Sequence, residues 1–243
     1  MENRKRVEVK IVGINGSPRK YGASFKLLSL ALRFAEREGA ETELIHLYDY
    51  NIKPCLGCVS DGVEYCRFPC IVKDDFNAIA GRLVEADAFI LASPIYWYSV
   101  SGVMKNFIDR LTSLENMIYH EPRKSLLEGK VAGFIAVGND TGAIMAIAWM
   151  MVVLNSMGVH VPAWALAYHH EKEVDVLDNK SAVQDAANLG IIVARAAKLL
   201  KLEKNWYIEI PEARLLPVIE DVRREAEKNS AQLRERVKKF TSL

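Results

Sequence analysis

All four cysteines of this 243-residue chain fall within 16 residues, as Cys55-Leu-Gly-Cys58 and Cys66-Arg-Phe-Pro-Cys70. The spacing is C-x2-C-x7-C-x3-C. Thiolates are soft metal ligands and redox-active groups. The N-terminus, Met1-Glu-Asn-Arg-Lys-Arg6, does not read as a secretory signal. Clustered cysteines in such a chain point to metal or redox chemistry rather than a disulfide framework. Gly57 and Gly62 permit the sharp turns with which four thiolates wrap one iron-sulfur cluster or one zinc ion. Free thiols that pack as small hydrophobes, or an internal disulfide, are the alternatives.

A second constellation is Gly13-Ile-Asn-Gly-Ser-Pro-Arg-Lys-Tyr-Gly-Ala-Ser24. It joins Val7–Ile14, which reads as a buried strand, to Phe25–Glu38, which reads as a helix. A small polar turn at a helix N-terminus is an anion site, because free N–H groups and the helix dipole both favour negative charge. Ser17 and Ser24 add hydroxyls and Arg19 adds a cationic fork, so a phosphate group is the expected guest. The turn lacks the Gly-Lys-Ser/Thr ending of a P-loop and the G-x-G-x-x-G of a dinucleotide fold. A plain helix cap by Ser24 is the alternative. Further on, Asp87–Ala92 reads as a strand that runs into Ser93-Pro-Ile-Tyr-Trp-Tyr98 and then Lys105-Asn-Phe-Ile-Asp-Arg110. Pro94 stiffens that turn, and Tyr96 and Trp97 offer flat apolar faces with polar tips. Lys105 is expected under a ring system or beside an acidic neighbour, and an aromatic core cluster is the bland reading of Tyr96-Trp97-Tyr98. A third loop, Gly138-Asn-Asp-Thr-Gly142, follows the strand Val131–Val137. Gly138, Thr141 and Gly142 suit close approach of backbone to a ligand, and Asp140 could equally cap the next helix. His169-His170 follows the fifth strand at the ligand end, where it could contact a substrate, but it reads as an exposed loop pair, and His46, His120 and His160 receive no role.

These loops resemble those of the NADPH-dependent FMN reductase family, which has the flavodoxin-like fold. The resemblance covers about residues 7–200. It implies that Ser17, Arg19, Gly22, Ala23 and Ser24 hold the FMN phosphate. Ser93, Pro94, Ile95, Tyr96, Trp97 and Tyr98 would then meet the flavin, with Gly138, Asn139, Asp140, Thr141 and Gly142 behind it. Ala23 departs from the Asn usual there. The cysteine loop, followed by Lys73-Asp74-Asp75, resembles the iron-sulfur flavoprotein branch, in which a [4Fe-4S] cluster exchanges electrons with FMN. In that branch the first three cysteines are two residues apart each time. Here Asp61 takes the third position and Cys66 arrives five residues late, as if Ser60–Tyr65 were inserted. The resemblance implies Cys55, Cys58, Cys66 and Cys70 as ligands, with Cys66 the departure. Its activity is electron movement from NAD(P)H through FMN to a small acceptor such as a quinone or flavin. The other activity is electron transfer between ferredoxin and FMN without small-molecule turnover. No catalytic acid or base is required, since the flavin carries the chemistry. A cytoplasmic homodimer or homotetramer is expected.

The elements must bring these loops together. Strands and helices alternate from Val7 to Leu202, with Glu41–Leu47 as the second strand and a long cysteine-bearing loop after it. The helix Asp74–Glu85 is expected to be capped by Asp74. A fifth strand is expected over Val159–Ala167, and a last helix over Ser181–Leu202 capped by Ser181. This order predicts an α/β fold, a flavodoxin-like doubly wound five-stranded parallel sheet with helices on both faces. Every candidate loop follows a strand, where such sheets bind ligands. The expected domains are 1–203, carrying the FMN loops with the cysteine loop at 53–74, and 204–243, a C-terminal helical extension for oligomerisation. In the extension Val218, Val222, Ala226, Leu233, Val237 and Phe240 make a narrow stripe, flanked by Glu220–Arg224 and Glu235–Lys239 pairs. The longest apolar run, Ala143–Leu154, is too short to span a bilayer and reads as a buried helix. A net charge of +1 argues against a nucleic-acid surface built on bulk charge.

Overall fold

A computed structural model of the chain describes residues 7–171, 174–203, 206 and 208–241, with side chains described as far as residue 230. It divides into two units, Met1–Trp206 and Tyr207–Leu243. In the first, β1 (Lys10–Asn15), β2 (Glu41–His46), β3 (Ala88–Pro94), β4 (Val131–Val137) and β5 (Leu166–His169) form one parallel sheet in the order β2-β1-β3-β4-β5. β3 and β4 are buried at nearly every position because both faces of the sheet are covered. On one face α1 (Ala23–Arg37) and α6 (Lys180–Leu200) pack on Ile11, Ile90 and Ile135. The two helices cross closely at Gly190, where a Cβ would lie 1.9 Å from the Ala31 carbonyl oxygen. On the other face α2 (Phe76–Glu85), α3 (Gly102–Arg110) and α5 (Ala143–Ser156) pack on Val12, Phe89 and Phe134. The short helix α4 (Thr112–Glu115) follows α3.

Several boundaries differ from expectation for local reasons. β1 begins at Lys10, whose N–H is taken by the Asp87 carboxylate at 2.9 Å. The expected strand Val159–Ala167 is broken. His160 makes a lone bridge to Val131, Pro162 lacks a donor, and Trp164 turns the chain with φ 64°. The strand therefore forms only at Leu166–His169. α6 is capped by Asn179, whose side chain accepts from the Ala182 N–H at 3.0 Å, so Ser181 lies inside the helix. α2 starts at Phe76 after Asp75, and Asp74 sits just outside it, its carboxylate accepting the Phe76 N–H at 3.1 Å while also holding the Lys53 N–H and Arg110. α5 is entered through Gly142 at φ 92°, so Asp140 is not its cap. Only one side of α5 is buried, while Ile144, Met145 and Val152 are exposed.

The second unit contains α7, Glu212–Thr241, with Pro217 inside it. Arg224 pairs with Asp221 rather than with Glu220. Leu233, Val237, Phe240 and the Glu235–Lys239 pair lie outside the residues whose side chains are described. Among the described residues no helix is long and apolar enough to cross a membrane.

Candidate functional site

The three loops meet at the carboxyl ends of β1, β3 and β4. Asn15, the last residue of β1 and fully buried, organises the first loop. Its Oδ1 accepts from the Ser17 N–H at 3.1 Å, and its Nδ2 reaches the Lys20 carbonyl at 3.4 Å and His46 Nδ1 at 3.1 Å. The Ser17 hydroxyl accepts from the Arg19 N–H at 3.2 Å. Gly22 is the N-cap of α1 and supplies no side chain, so the first-turn amides at Ala23, Ser24 and Phe25 are left for an outside acceptor. Ser24 is buried inside that turn and is not the cap. Arg19 is exposed at the rim. An uncapped helix N-terminus with a buried serine on either side of the turn fits a phosphate group.

The first two loops are tied together. The Ser101 hydroxyl donates to the Gly16 carbonyl at 2.6 Å, and the Ser101 N–H donates to Ser93 Oγ at 2.9 Å. Ser93 is fully buried and donates in turn to the Pro94 carbonyl, so its hydroxyl holds the loop's own shape. Beyond it Tyr96 and Ser99 exchange backbone hydrogen bonds at 2.9 and 3.1 Å. Between them Trp97 and Tyr98 adopt φ 49° and 66°, the two left-handed positions of a tight hairpin turn. Non-glycine residues there cost about 1–2 kcal/mol each. Such strain gathers at ligand sites. Trp97 is 94% exposed, so the aromatic trio is not a core cluster. The third loop backs the second: a Cβ on Gly138 would strike Ile95, and one on Gly142 would strike Tyr98. Asn139, Asp140 and Thr141 are exposed. Lys105 takes the acidic neighbour, Asp109, at 2.6 Å and lies over the Trp149 ring at 5.5 Å. His169 is not an exposed loop residue. It ends β5 buried, with no hydrogen-bond partner for Nδ1 among the described residues.

The cysteine loop leaves the sheet after β2 and is closed at its base by two acids. Asn51 donates its N–H to Asp75 at 2.8 Å and accepts from the Asp75 N–H at 3.1 Å. The Lys53 N–H donates to Asp74 at 2.8 Å. Asn77 clamps Cys70 by accepting its N–H at 2.8 Å and donating to its carbonyl at 2.9 Å. The Asn116 amide donates to the carbonyls of Val63 and Cys66, and His120 Nε2 lies 3.2 Å from the same Cys66 carbonyl. Held this way, Cys55, Cys58, Cys66 and Cys70 line one shallow, solvent-open hollow. All four thiols are free. Burial, and then the nearby Cys55, Cys70 and Cys58, push the Cys66 thiol up to about 11. Among the described residues no three ligand-type side chains are gathered tightly enough to hold a single metal ion. One zinc needs every sulfur about 2.3 Å from a common point. Four thiolates are also a complete donor set for a polynuclear iron-sulfur centre, in which each sulfur binds its own iron.

Under the hollow lies Arg110, the largest fully buried side chain described. It forms a fork on Asp74 at 2.8 and 3.2 Å, donates to the Lys53 carbonyl at 3.1 Å, and stacks on Phe76 at 4.4 Å. Burial opposes its charge, but Asp74 and then Cys70 outweigh that and hold it firmly protonated. Burial likewise raises the Asp74 carboxyl, while Arg110 and the Lys53 and Phe76 N–H groups lower it more, so its net shift is downward. Asn15, Asn77, Ser101 and Asn116 were not singled out in the sequence. Each is a short polar residue whose partner is a backbone group distant in the chain or in the loop it shapes, and spacing carries no sign of that.

The sequence profile of the NADPH-dependent FMN reductase family matches residues 9–173, from the start of β1 past all three loops and the cysteine segment. This chain belongs to that family. An iron-sulfur flavoprotein of Archaeoglobus fulgidus is 37% identical over 161 residues, 66% of this chain and 69% of that protein. An iron-sulfur flavoprotein of Methanocaldococcus jannaschii is 31% identical over 204 residues, 79% of this chain and 100% of that protein. The crystal structure of RosB with bound 8-demethyl-8-formylriboflavin-5′-phosphate has a TM-score of 0.70 at 20% identity, covering 88% of this chain and 87% of that one. That likeness is one of fold. This FMN reductase family member is thus a flavodoxin-like flavoprotein whose curated relatives include iron-sulfur flavoproteins.

Proposed function

We propose that this chain is an FMN-dependent oxidoreductase that moves electrons from NAD(P)H through FMN to a small acceptor such as a quinone or flavin. The observation that carries this reading is the uncapped N-terminus of α1, set at the β1/β3 switch point in a loop that Ser101 ties to the segment with the strained Tyr96–Ser99 turn. The first-turn amides with Ser17 and Ser24 bind the phosphate, and Arg19 adds charge at the rim. Tyr96, Trp97 and Tyr98 present ring faces to the flavin. Gly138 and Gly142 let the third loop approach behind it. Bound FMN supplies the hydride and one-electron chemistry, and these residues orient it and exclude water. In the test, FMN is titrated into wild type and a Ser17→Ala/Arg19→Ala variant. Loss of one charge-assisted contact, about 1.5–3 kcal/mol, should weaken binding at least tenfold. Equal affinity would overturn the placement.

The cysteine hollow favours a second reading, an electron-transfer protein that passes electrons between ferredoxin and FMN through a [4Fe-4S] cluster on Cys55, Cys58, Cys66 and Cys70. Four thiols lining one hollow above a buried cation fit that group in donor chemistry. Iron and acid-labile sulfide should both be present in anaerobically purified protein, and Cys58→Ser should lose iron while keeping flavin. Stopped-flow mixing with NADPH or NADH separates the readings. Rapid flavin bleaching supports turnover, and inertness alongside reduction by ferredoxin supports the second reading.

A further inference from the structure

Arg110 and Asp74 are left over once the flavin loops and the thiols have their roles. Arg110 is a permanent cation. It lines the same hollow as the four cysteines, and its Nε–H is buried with no hydrogen-bond partner among the described residues. Asp74, also buried, holds the guanidinium from the other side and does not line the hollow. Four thiolates around a metal centre carry a net negative charge, which grows when the centre takes an electron. A buried cation beside them favours the thiolates over the thiols and the reduced state over the oxidised one, and its partner carboxylate moderates both effects. Resting on the reading that the cysteines hold an iron-sulfur cluster, we infer that the Arg110–Asp74 pair sets the charge balance of that site. Arg110 is a positioning residue whose cation and spare N–H raise the site's affinity for its metal centre and its tendency to accept an electron. Asp74 acts in the opposite sense.

Arg110→Gln and Asp74→Asn break the same ion pair, so structural damage would move both variants one way, whereas charge balance moves them oppositely. Redox titration of the anaerobically reconstituted full chain, followed by EPR, reads the effect. At fixed ambient potential Arg110→Gln should lower the reduced-to-oxidised ratio about tenfold, a one-electron shift of about 59 mV. Asp74→Asn should raise it. Shifts of one sign, or none, overturn the inference. If a single variant fails to bind FMN and so reports misfolding, Arg110→Gln/Asp74→Asn leaves neither charge unpaired. That double variant should still show the Arg110→Gln direction, because the cation is the charge that lines the hollow, and a wild-type ratio would overturn the proposal. Co²⁺ titration of the cofactor-free chain, in which the solvent-open loop must draw the thiols together around the ion, gives a readout without a cluster, with affinity about tenfold weaker in Arg110→Gln and tighter in Asp74→Asn. Wild type that takes up no iron or sulfide overturns the cluster reading alone, and the Co²⁺ shifts then decide the role of Arg110. Wild type that binds neither overturns both.

Discussion

At the scale of single residues, polar side chains shape the candidate site through the backbone groups they hold. Asn15 fixes the loop after β1 by accepting the buried Ser17 N–H. Asn15→Ala leaves that donor unsatisfied, at a cost of about 1–3 kcal/mol. FMN affinity should fall about tenfold while far-UV circular dichroism is unchanged, and calorimetric titration checks it. Asp74 gives a pH signature. Its carboxyl is held below its ordinary value, so its stabilisation of the loop base is complete above the unfolded value of about 3.9. That stabilisation is lost as pH falls through the folded value. The cofactor-free loop should therefore stay closed at pH 5 and open only below about pH 4. A pyridyl disulfide that reacts with thiols in acid would report the opening as faster labelling of Cys66. The candidate ligand residues could be picked from the sequence because their types and spacing are themselves the chemistry. Those that hold them were not. Arg110 lies 36 positions from Asp74 and 40 from Cys70, and only the fold makes them neighbours.

At the scale of elements, the order of strands and helices was legible because buried parallel strands leave continuous apolar runs and the loops fall between them. The failures were at ends. β5 lies later than the sequence pattern suggests: Val159–Ala167 has the apolar content of a strand, while Pro162 and the left-handed Trp164 deny it the geometry. α5 was expected to be buried from its apolarity, yet in the single chain one side faces outward. The Tyr96–Ser99 turn shows what patterning misses altogether. It holds two bulky residues at φ above zero, where Asn or Gly is at ease. Trp97→Asn should relieve about 1 kcal/mol and raise the melting temperature of the flavin-free protein by about 2–4 °C, as for a unit of this size. The same change should weaken FMN binding, since it removes an exposed indole face from the flavin loop. A variant that is less stable without flavin, or that binds FMN as tightly as wild type, would show that the turn is ordinary packing.

At the scale of the whole molecule, the family profile ends at residue 173, and α7 lies beyond it. The expected boundary after residue 203 stands beside a division at Trp206, which stays with the first unit by packing its indole on His160 at 4.1 Å and against Gly129. A chain ended after Trp206 therefore keeps every hydrogen bond described above for the three candidate loops and the cysteine loop. α7 is 30 residues long and strongly charged, with Val218 and Val222 one turn apart and Ala226 a turn further on. One helix cannot bury its own apolar stripe, and an isolated helix draws most of its stability from what it packs against. We expect that packing to come from other copies of this chain. Light scattering should then give a higher-order assembly for the full chain and a lower one for the chain ended at Trp206, with FMN content per chain unchanged. A mass per particle that scales only with the deleted residues would remove α7 from assembly. Loss of FMN from the shortened chain would show instead that the extension completes the flavin site.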